Sequence, residues 1–526
     1  MQIVWRKHLS SLSIGDEKDL SQSIQAILAL KLKQYYGTLR ISTIAKVSTI
    51  ITYLLIIFSA AGAAVLMRGL YGIAGIEDLP RIITAIAFMF STLFIFEIYL
   101  GMKGGITALR SEVDFILPSP IKPSTYLIAD LIFQLIFLNV ILTPAASTFM
   151  ATLLYPDERY LLTFFIFYEI SILTAVITAH ILGILNVKGY GRTAKILGWT
   201  LITFMLIPII LNMLDMQARS IIVFHPSEIL ARLAVGAQET LDTPLLVICL
   251  TVIFGSYLQS LRIRIFSDVN PLLTTGFMEP SSRWTKFPYL KLDFSKGSLH
   301  SYLIKFHLVR ICRDGSLGTS MLFLAVFVAA NMSLSRIAWS SLRPELASTI
   351  LTALYIPLIP ALLTINWNVT ERMNLWSPAS SSNGLRSYLD GMLLSYITIS
   401  TSFAIGFYTL MNIMIGENPF MILDLFIALT TSMTSSAISM LMVLRSKKPA
   451  AALSHLTLLY TMIPMAGSMI LDLPLLIIRA LESLATNPPP SLLAFLITYP
   501  LLLFLILRQR ILSASKNLAY ALGNPI

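Results

Sequence analysis

The chain has 526 residues, of which 56% are apolar and 12% charged, and its mean hydropathy is +0.78. No soluble globular chain of this length hides that composition behind a polar surface, so soluble enzymes and carriers are excluded and an all-α polytopic membrane protein is expected. The formal charge of +11 does not indicate a nucleic-acid partner, because the basic residues sort according to the hydrophobic spans.

In chain order, residues 1–41 read as a cytoplasmic tail. Within it, Ile24, Leu28, Leu32, Tyr35 and Leu39 share one face of an amphipathic helix suited to the membrane surface. Apolar runs follow at about 42–67, 82–102, 125–154, 160–185, 195–214 and 243–261, each near the roughly 20 residues that a bilayer requires. They make residues 42–262 a six-span unit. Residues 263–298 form a basic linker containing Arg264, Arg283, Lys286, Lys291 and Lys296. The pattern then restarts. Residues 299–316 form a second amphipathic surface helix with Leu299, Tyr302, Leu303, Phe306 and Val309 on one face. Six further runs lie at about 317–334, 346–365, 387–415, 420–444, 453–471 and 491–507, giving a second unit over 317–510 and a tail over 511–526. About twelve transmembrane helices in two parallel six-helix repeats are therefore expected, with both termini cytoplasmic in the cell membrane. That orientation places 30 of the 38 Lys and Arg residues inside and 8 outside.

The stretch between the second and third spans carries an apolar ridge of Leu109, Val113, Ile116 and Leu117, stopped by Pro118, Pro120 and Pro123. Leu117-Pro118-Ser119-Pro120 is echoed by Leu375-Trp376-Ser377-Pro378 between the eighth and ninth spans. Glu112 and Glu371 precede the two motifs, and the Tyr-Leu pairs at 126–127 and 388–389 follow them. A second echo joins Pro226, Glu228 and Arg232, before the sixth span, to Pro474 and Arg479, before the twelfth. Two echoes at matching places indicate duplication.

This arrangement resembles the membrane subunits of ABC exporters of the type-2 export class. The resemblance implies a permease that couples to a separate ATP-binding ABC ATPase subunit, in two copies. Glu112, Asp114, Ile116, Leu117, Pro118, Ser119 and Pro120 would form one docking loop. Glu371, Leu375, Trp376, Ser377 and Pro378 would form a second, which departs from the first by its tryptophan and by the inserted run Ser380-Ser381-Ser382-Asn383-Gly384. Pro226, Glu228, Arg232, Pro474 and Arg479 would belong to external gate helices.

The sequence contains no phosphate-binding G-x-x-x-x-G-K-[ST] motif, so ATP and Mg would sit on the partner and the chain itself would carry no cofactor or metal. Glu97, Glu169 and His180 fall inside spans, where ionisable groups are costly and mark candidate pathways. Glu169 with His180 could form a proton relay, which would suit the alternative of a twelve-span secondary transporter driven by an ion gradient. Asp130 and Asp424 read as helix-end residues. Cys249 and Cys312 form neither a disulfide framework nor a metal motif.

Overall fold

The computed structural model describes residues 22–33, parts of 46–68, 79–103, 121–155, 160–213, 224–262, 299–313, parts of 317–322 and 349–355, 356–370, 375, 384–415, 421–445, 455–480 and 490–523. These residues form helices and turns, with no strand among them. The chain divides into two compact units. The first comprises Met1–Val47 and Ile56–Glu279, and the second Ser48–Leu55 and Pro280–Ile526.

In the first unit, α1 covers residues 22–33. It is followed by α2 (Leu79–Lys103), α3 (Pro123–Leu154), α4 (Leu161–Val187), α5 (Gly191–Met213), α6 (Pro226–Ala234) and α7 (Asp242–Ser260). α4 is the central helix, packed against α2, α3, α5, α6 and α7. Its approach to α2 depends on Gly101, where an added Cβ would lie 2.5 Å from the Ala179 carbonyl oxygen. Asn186 of α4 donates its amide to the carbonyls of Gly101 and Met102, satisfying the end of α2 where the helix itself supplies no donor. The sharp turn from α4 into α5 is made by Gly189 at φ +86°, with Tyr190 N–H returning to the Leu185 carbonyl. The ends of α2 and α4 and the start of α5 therefore lie at one end of this unit, called the near end below.

The second unit contains α8 (Leu299–Arg313), α9 (Leu358–Thr370), α10 (Gly384–Ile415), α11 (Met421–Arg445), α12 (His455–Ala480) and α13 (Pro490–Gly523). α11 is its centre, packed against α9, α10, α12 and α13, while α8 lies along α10. Gly391 makes that approach possible, since an added Cβ would lie 2.8 Å from Leu303 Cβ. Ser395 Oγ donates to the Ile304 carbonyl across the same contact. The core gathers Trp367, Tyr388, Leu389, Met392, Leu393, Tyr396 and Met440. The rings' polar atoms are satisfied within it: Trp367 Nε1 donates to Tyr388 Oη, and Tyr396 Oη donates to the Leu363 carbonyl.

Among the described residues, seven helices are long and apolar enough to cross a membrane: α2, α3, α4, α7, α10, α11 and α13. Large apolar side chains stay exposed along them, such as Val247, Val252 and Leu258 on α7 and Ile497, Leu501 and Leu505 on α13. A polytopic membrane protein presents such faces to lipid.

Three elements differ from their sequence expectation. The eighth run, expected at about 346–365, turns at residues 356–357 and continues as α9 to Thr370. The eleventh run, expected to end at Leu471, continues as α12 to Ala480 with Pro464 and Pro474 inside it. Pro474 thus opens no helix of its own, because apolar surroundings and packed neighbours tolerate a lost backbone bond that water would exploit. Residues 511–523, read as tail, continue α13.

Candidate functional site

The polar side chains buried in each unit form networks at two levels. Asp130 lies seven residues into α3 and His180 seven residues before the end of α4, so both sit about 10 Å from the near end at the helical rise. Lys31 reaches them from α1. Its Nζ is 2.8 Å from Asp130 Oδ1, and His180 Nε2 is 3.2 Å from Asp130 Oδ2, with all three side chains fully buried. Gln134 donates to the same carboxylate at 2.7 Å. Lys31 also stands over the rings of Tyr126 and Phe133, 5.1 and 5.5 Å from their centroids. α1 is thereby fastened to α3, the helix that follows the first candidate docking loop.

The second unit has a counterpart built from different residues. Asp390, six residues into α10, accepts from Arg508 Nε of α13 at 2.7 Å. α8 is held to α10 by His307 Nε2, 3.1 Å from the Tyr388 carbonyl, and by Arg310, which donates to Tyr396 Oη. Burial, then the charge of Arg310, pushes the His307 imidazole down to about 3, so it is neutral where it sits.

At the opposite end of each unit, the two arginines singled out in the sequence echo are buried and ion-paired. Arg232 Nε of α6 donates to Asp242 Oδ2 of α7 at 2.9 Å. Arg479 Nε of α12 donates to Asp424 Oδ1 of α11 at 2.8 Å, and Tyr408 Oη of α10 donates to the other oxygen of Asp424 at 2.7 Å.

α6 is a re-entrant element. His225 caps it by accepting the Ser227 N–H, and Pro226 suits the first helical position. His225 Nε2 lies 3.2 Å from the Phe204 carbonyl, which assigns a proton to Nε2 and leaves Nδ1 to accept from Ser227 Oγ at 2.6 Å. Ser91 Oγ of α2 lies 2.8 Å from Ser227 Oγ. Ser91 is twelve residues from the end of α2 and Phe204 thirteen from the start of α5, so both lie roughly 18–20 Å from the near end. That is around the middle of a hydrocarbon core about 30 Å thick. From there α6 climbs to the far end, where Thr163 Oγ1 donates to the Ala234 carbonyl at 2.9 Å. Glu228 is buried in its first turn, at 7% exposure, and makes no hydrogen bond among the described residues.

The other predicted residues are placed apart. Glu97 is buried in α2 without a hydrogen bond or ion pair among the described residues. Glu169 accepts from Thr143 Oγ1 of α3 at 3.3 Å. It lies eleven residues from His180 on the same helix, about 16 Å along the axis, and His180 is committed to Asp130. No direct Glu169–His180 relay exists. Glu112, Asp114, Ile116, Leu117, Pro118, Ser119, Pro120, Glu371, Trp376, Ser377 and Pro378 lie outside the described residues. Leu375 is described. It is 2% exposed and belongs to the core that holds Trp367, Leu385 and Tyr388, so it anchors its loop to the bundle.

Sequence reasoning missed Lys31, Asp390 and Arg508, and took Asp130 and Asp424 only for helix-end residues. Asp390 and Arg508 carried a signal: each is a charged residue on or within two turns of an apolar run, where a partner of opposite sign is expected. No protein-family model matches the chain, and no curated protein or solved structure matches it.

Proposed function

We propose that the chain is the membrane-spanning permease of an ATP-driven export complex of the ABC type-2 class, built from two six-span repeats and driven by two copies of a separate ATPase subunit. The observation that carries this reading is the shared wiring of the two units. Each has one central helix, α4 or α11, and an amphipathic helix ahead of the spans that is tied to the helix following a proline-bearing loop. The tie is Lys31–Asp130 in one unit, and His307–Tyr388 with Ser395–Ile304 in the other. A push on either loop would reach its following helix and the attached surface helix together, as rigid-body coupling requires. Leu375, buried in the core, gives the second loop a fixed attachment through which force would pass.

The ion-gradient alternative loses its simplest relay, since Glu169 and His180 hold different partners. It retains Glu97, Glu169 and Glu228 as candidate carriers.

The test is co-purification of the full chain from its native membranes in mild detergent. Recovery of an ATP-binding subunit with ATPase activity supports the reading, and Leu117→Asp should then abolish that association while the bundle stays folded. Absence of any ATP-binding partner and of associated ATPase activity overturns it. Glu169→Gln leaves ATP-driven transport largely intact on this reading, whereas complete loss would favour ion coupling.

A further inference from the structure

Asp472 of α12 is fully buried, and among the described residues its one hydrogen-bond partner is Thr431 of α11. Thr431 lies ten residues into α11, about 15 Å from its start and near the middle of a helix long enough to span the membrane. The other buried aspartates all face a cation: Asp130 has Lys31, Asp242 has Arg232, Asp390 has Arg508 and Asp424 has Arg479. Asp472 has none.

The geometry around Thr431 decides where a proton resides. Thr431 Oγ1 is 2.8 Å from the Ile427 carbonyl oxygen and 2.6 Å from Asp472 Oδ2. A hydroxyl has one hydrogen, so it cannot donate to both. If Asp472 carries a proton on Oδ2, its O–H donates to Thr431 Oγ1 and the Thr431 O–H donates to Ile427, and both short contacts are hydrogen bonds. If Asp472 is ionised, two acceptors compete for a single hydrogen.

Nearby hydroxyls bring no relief. Thr430, Ser432, Thr434, Ser435 and Ser436 each donate back to a carbonyl one turn earlier on α11. Asp472 Oδ1 has no hydrogen-bond partner. An anion here would hold its charge with no cation and no free donor, which a membrane interior disfavours strongly.

The groups facing Asp472 from the packed elements do not change this. α11 contributes Thr431, and its Asp424 is engaged by Arg479. α13 contributes Tyr499, whose hydroxyl donates to the Leu471 carbonyl at 2.5 Å, while its Arg508 is bound to Asp390. The sequence of α9 has no titratable side chain. On α12 itself, Arg479 is two turns away and paired.

We propose that Asp472 is a proton-binding site in the middle of the second unit, held as a neutral acid that donates to Thr431, and that removal of its proton opens the seam between α11 and α12. That seam is closed by small residues. Gly467 would bring an added Cβ within 3.0 Å of Ile438 Cδ1, and Ser468 beside it is fully buried. An ionised Asp472 would draw water or a cation towards it, and seating either at so close a helix contact would require α11 and α12 to separate. The site is independent of the permease reading and stands or falls separately from it.

The test uses the full chain in lipid nanodiscs and infrared spectroscopy of the protonated carboxyl C=O stretch. A buried-acid band is expected at pH 7 in sodium-free choline chloride. It should vanish in Asp472→Asn, which mimics the neutral acid and keeps the fold, and shift in Asp472→Glu. Ser468→Cys should react with a maleimide at least tenfold faster once alkaline pH removes the band, and Asp472→Asn should abolish that acceleration. If the wild-type and Asp472→Asn spectra coincide at pH 7, Asp472 is ionised and the proposal fails. If sodium chloride abolishes the band at that pH, the site takes a metal cation in place of a proton, and the proposal fails in that form. Should Asp472→Asn not fold, an unshifted band in Asp472→Glu overturns it equally.

Discussion

The contact between α1 and α3 offers a quantitative test, because all the charge involved is buried. Lys31 and Asp130 are fully excluded from solvent and 2.8 Å apart. Replacing one partner of such a pair leaves an uncompensated charge, which costs about 3–5 kcal/mol. Replacing both with neutral groups of similar shape costs far less. In Asp130→Asn the ammonium of Lys31 remains, surrounded by the Tyr126 and Phe133 rings, and its cheapest escape is to leave with α1. In Lys31→Met the carboxylate keeps Gln134 and the Nε2–H of His180 as donors, so that variant should lose less. The pair combined should recover most of the loss. A cysteine at Ile27, 3% exposed and one turn before Lys31, reports docking through its reaction with a membrane-impermeant maleimide once Cys249 and Cys312 are replaced by serine. A shift of about 3 kcal/mol in docking corresponds to a labelling rate roughly a hundredfold higher for Asp130→Asn, with the double variant returning to within about tenfold of the parent. Labelling of Asp130→Asn within about twofold of the parent would refute the idea that the ion pair holds α1, and so would strictly additive effects.

Gly101→Ala places a methyl 2.5 Å from the Ala179 backbone, which cannot rotate away. It should destabilise the first unit by about 1–3 kcal/mol in thermal unfolding in detergent. Gly406→Ala, with open space around its Cβ, should be neutral or stabilising by up to about 1 kcal/mol, and a loss there like that at Gly101 would remove close packing as the cause. His307 gives a pH dependence of definite sign. Its imidazole is held down to about 3 when α8 is docked and returns to about 6.5 when released, so the released state binds the extra proton between those values. Docking is therefore full above about pH 6.5 and weakens as pH falls, by about 2 kcal/mol at pH 5. Thiol labelling of a Phe306→Cys variant across pH 5–8 measures this, and His307→Gln should remove the slope; an unchanged slope would assign it to other groups.

How much of this was legible in the sequence varied with the range of the interaction responsible. The helix boundaries at Leu161, Asp242, Leu299 and Met421 follow from local hydropathy and lie within one residue of their expected positions. α12 shows the limit. Proline chemistry alone predicts a break at Pro474, whereas packing against α11 and α9 carries the helix through it. The re-entry of α6 was legible as a short helix but not in its depth, which depends on His225 meeting Phe204 and Ser91 meeting Ser227 across 21 and 136 residues. Lys31 was missed because helical periodicity gives a lysine beside an apolar face no reason to be anywhere but in water. Only the tertiary structure supplies Asp130, almost a hundred residues away, as the reason for it to point inward.

The placement of charge in the two units separates support from candidate chemistry. Near the ends of the helices the buried acids are neutralised by arginine or lysine, and those pairs join one helix to the next: α1 to α3, α6 to α7, α10 to α13 and α11 to α12. Three buried acids form no ion pair among the described residues: Glu97 in α2, Asp472 in α12, and Glu228 in α6, whose neighbour one turn on, Arg232, is committed to Asp242. Paired charges at helix ends resist separation of the helices and so oppose motion there. Acids held in no ion pair contribute nothing to holding the fold that an amide or a leucine could not supply at lower cost. Their placement at depth is therefore better accounted for by a passage or a switch than by stability. On that reasoning Glu97→Gln, Glu228→Gln and Asp472→Asn should each leave the melting temperature of the full chain unchanged or raised and, on the proposed permease reading, alter transport, whereas Asp424→Asn and Asp390→Asn should lower the melting temperature. A clear loss of stability in the first three variants would place those acids among the supports after all.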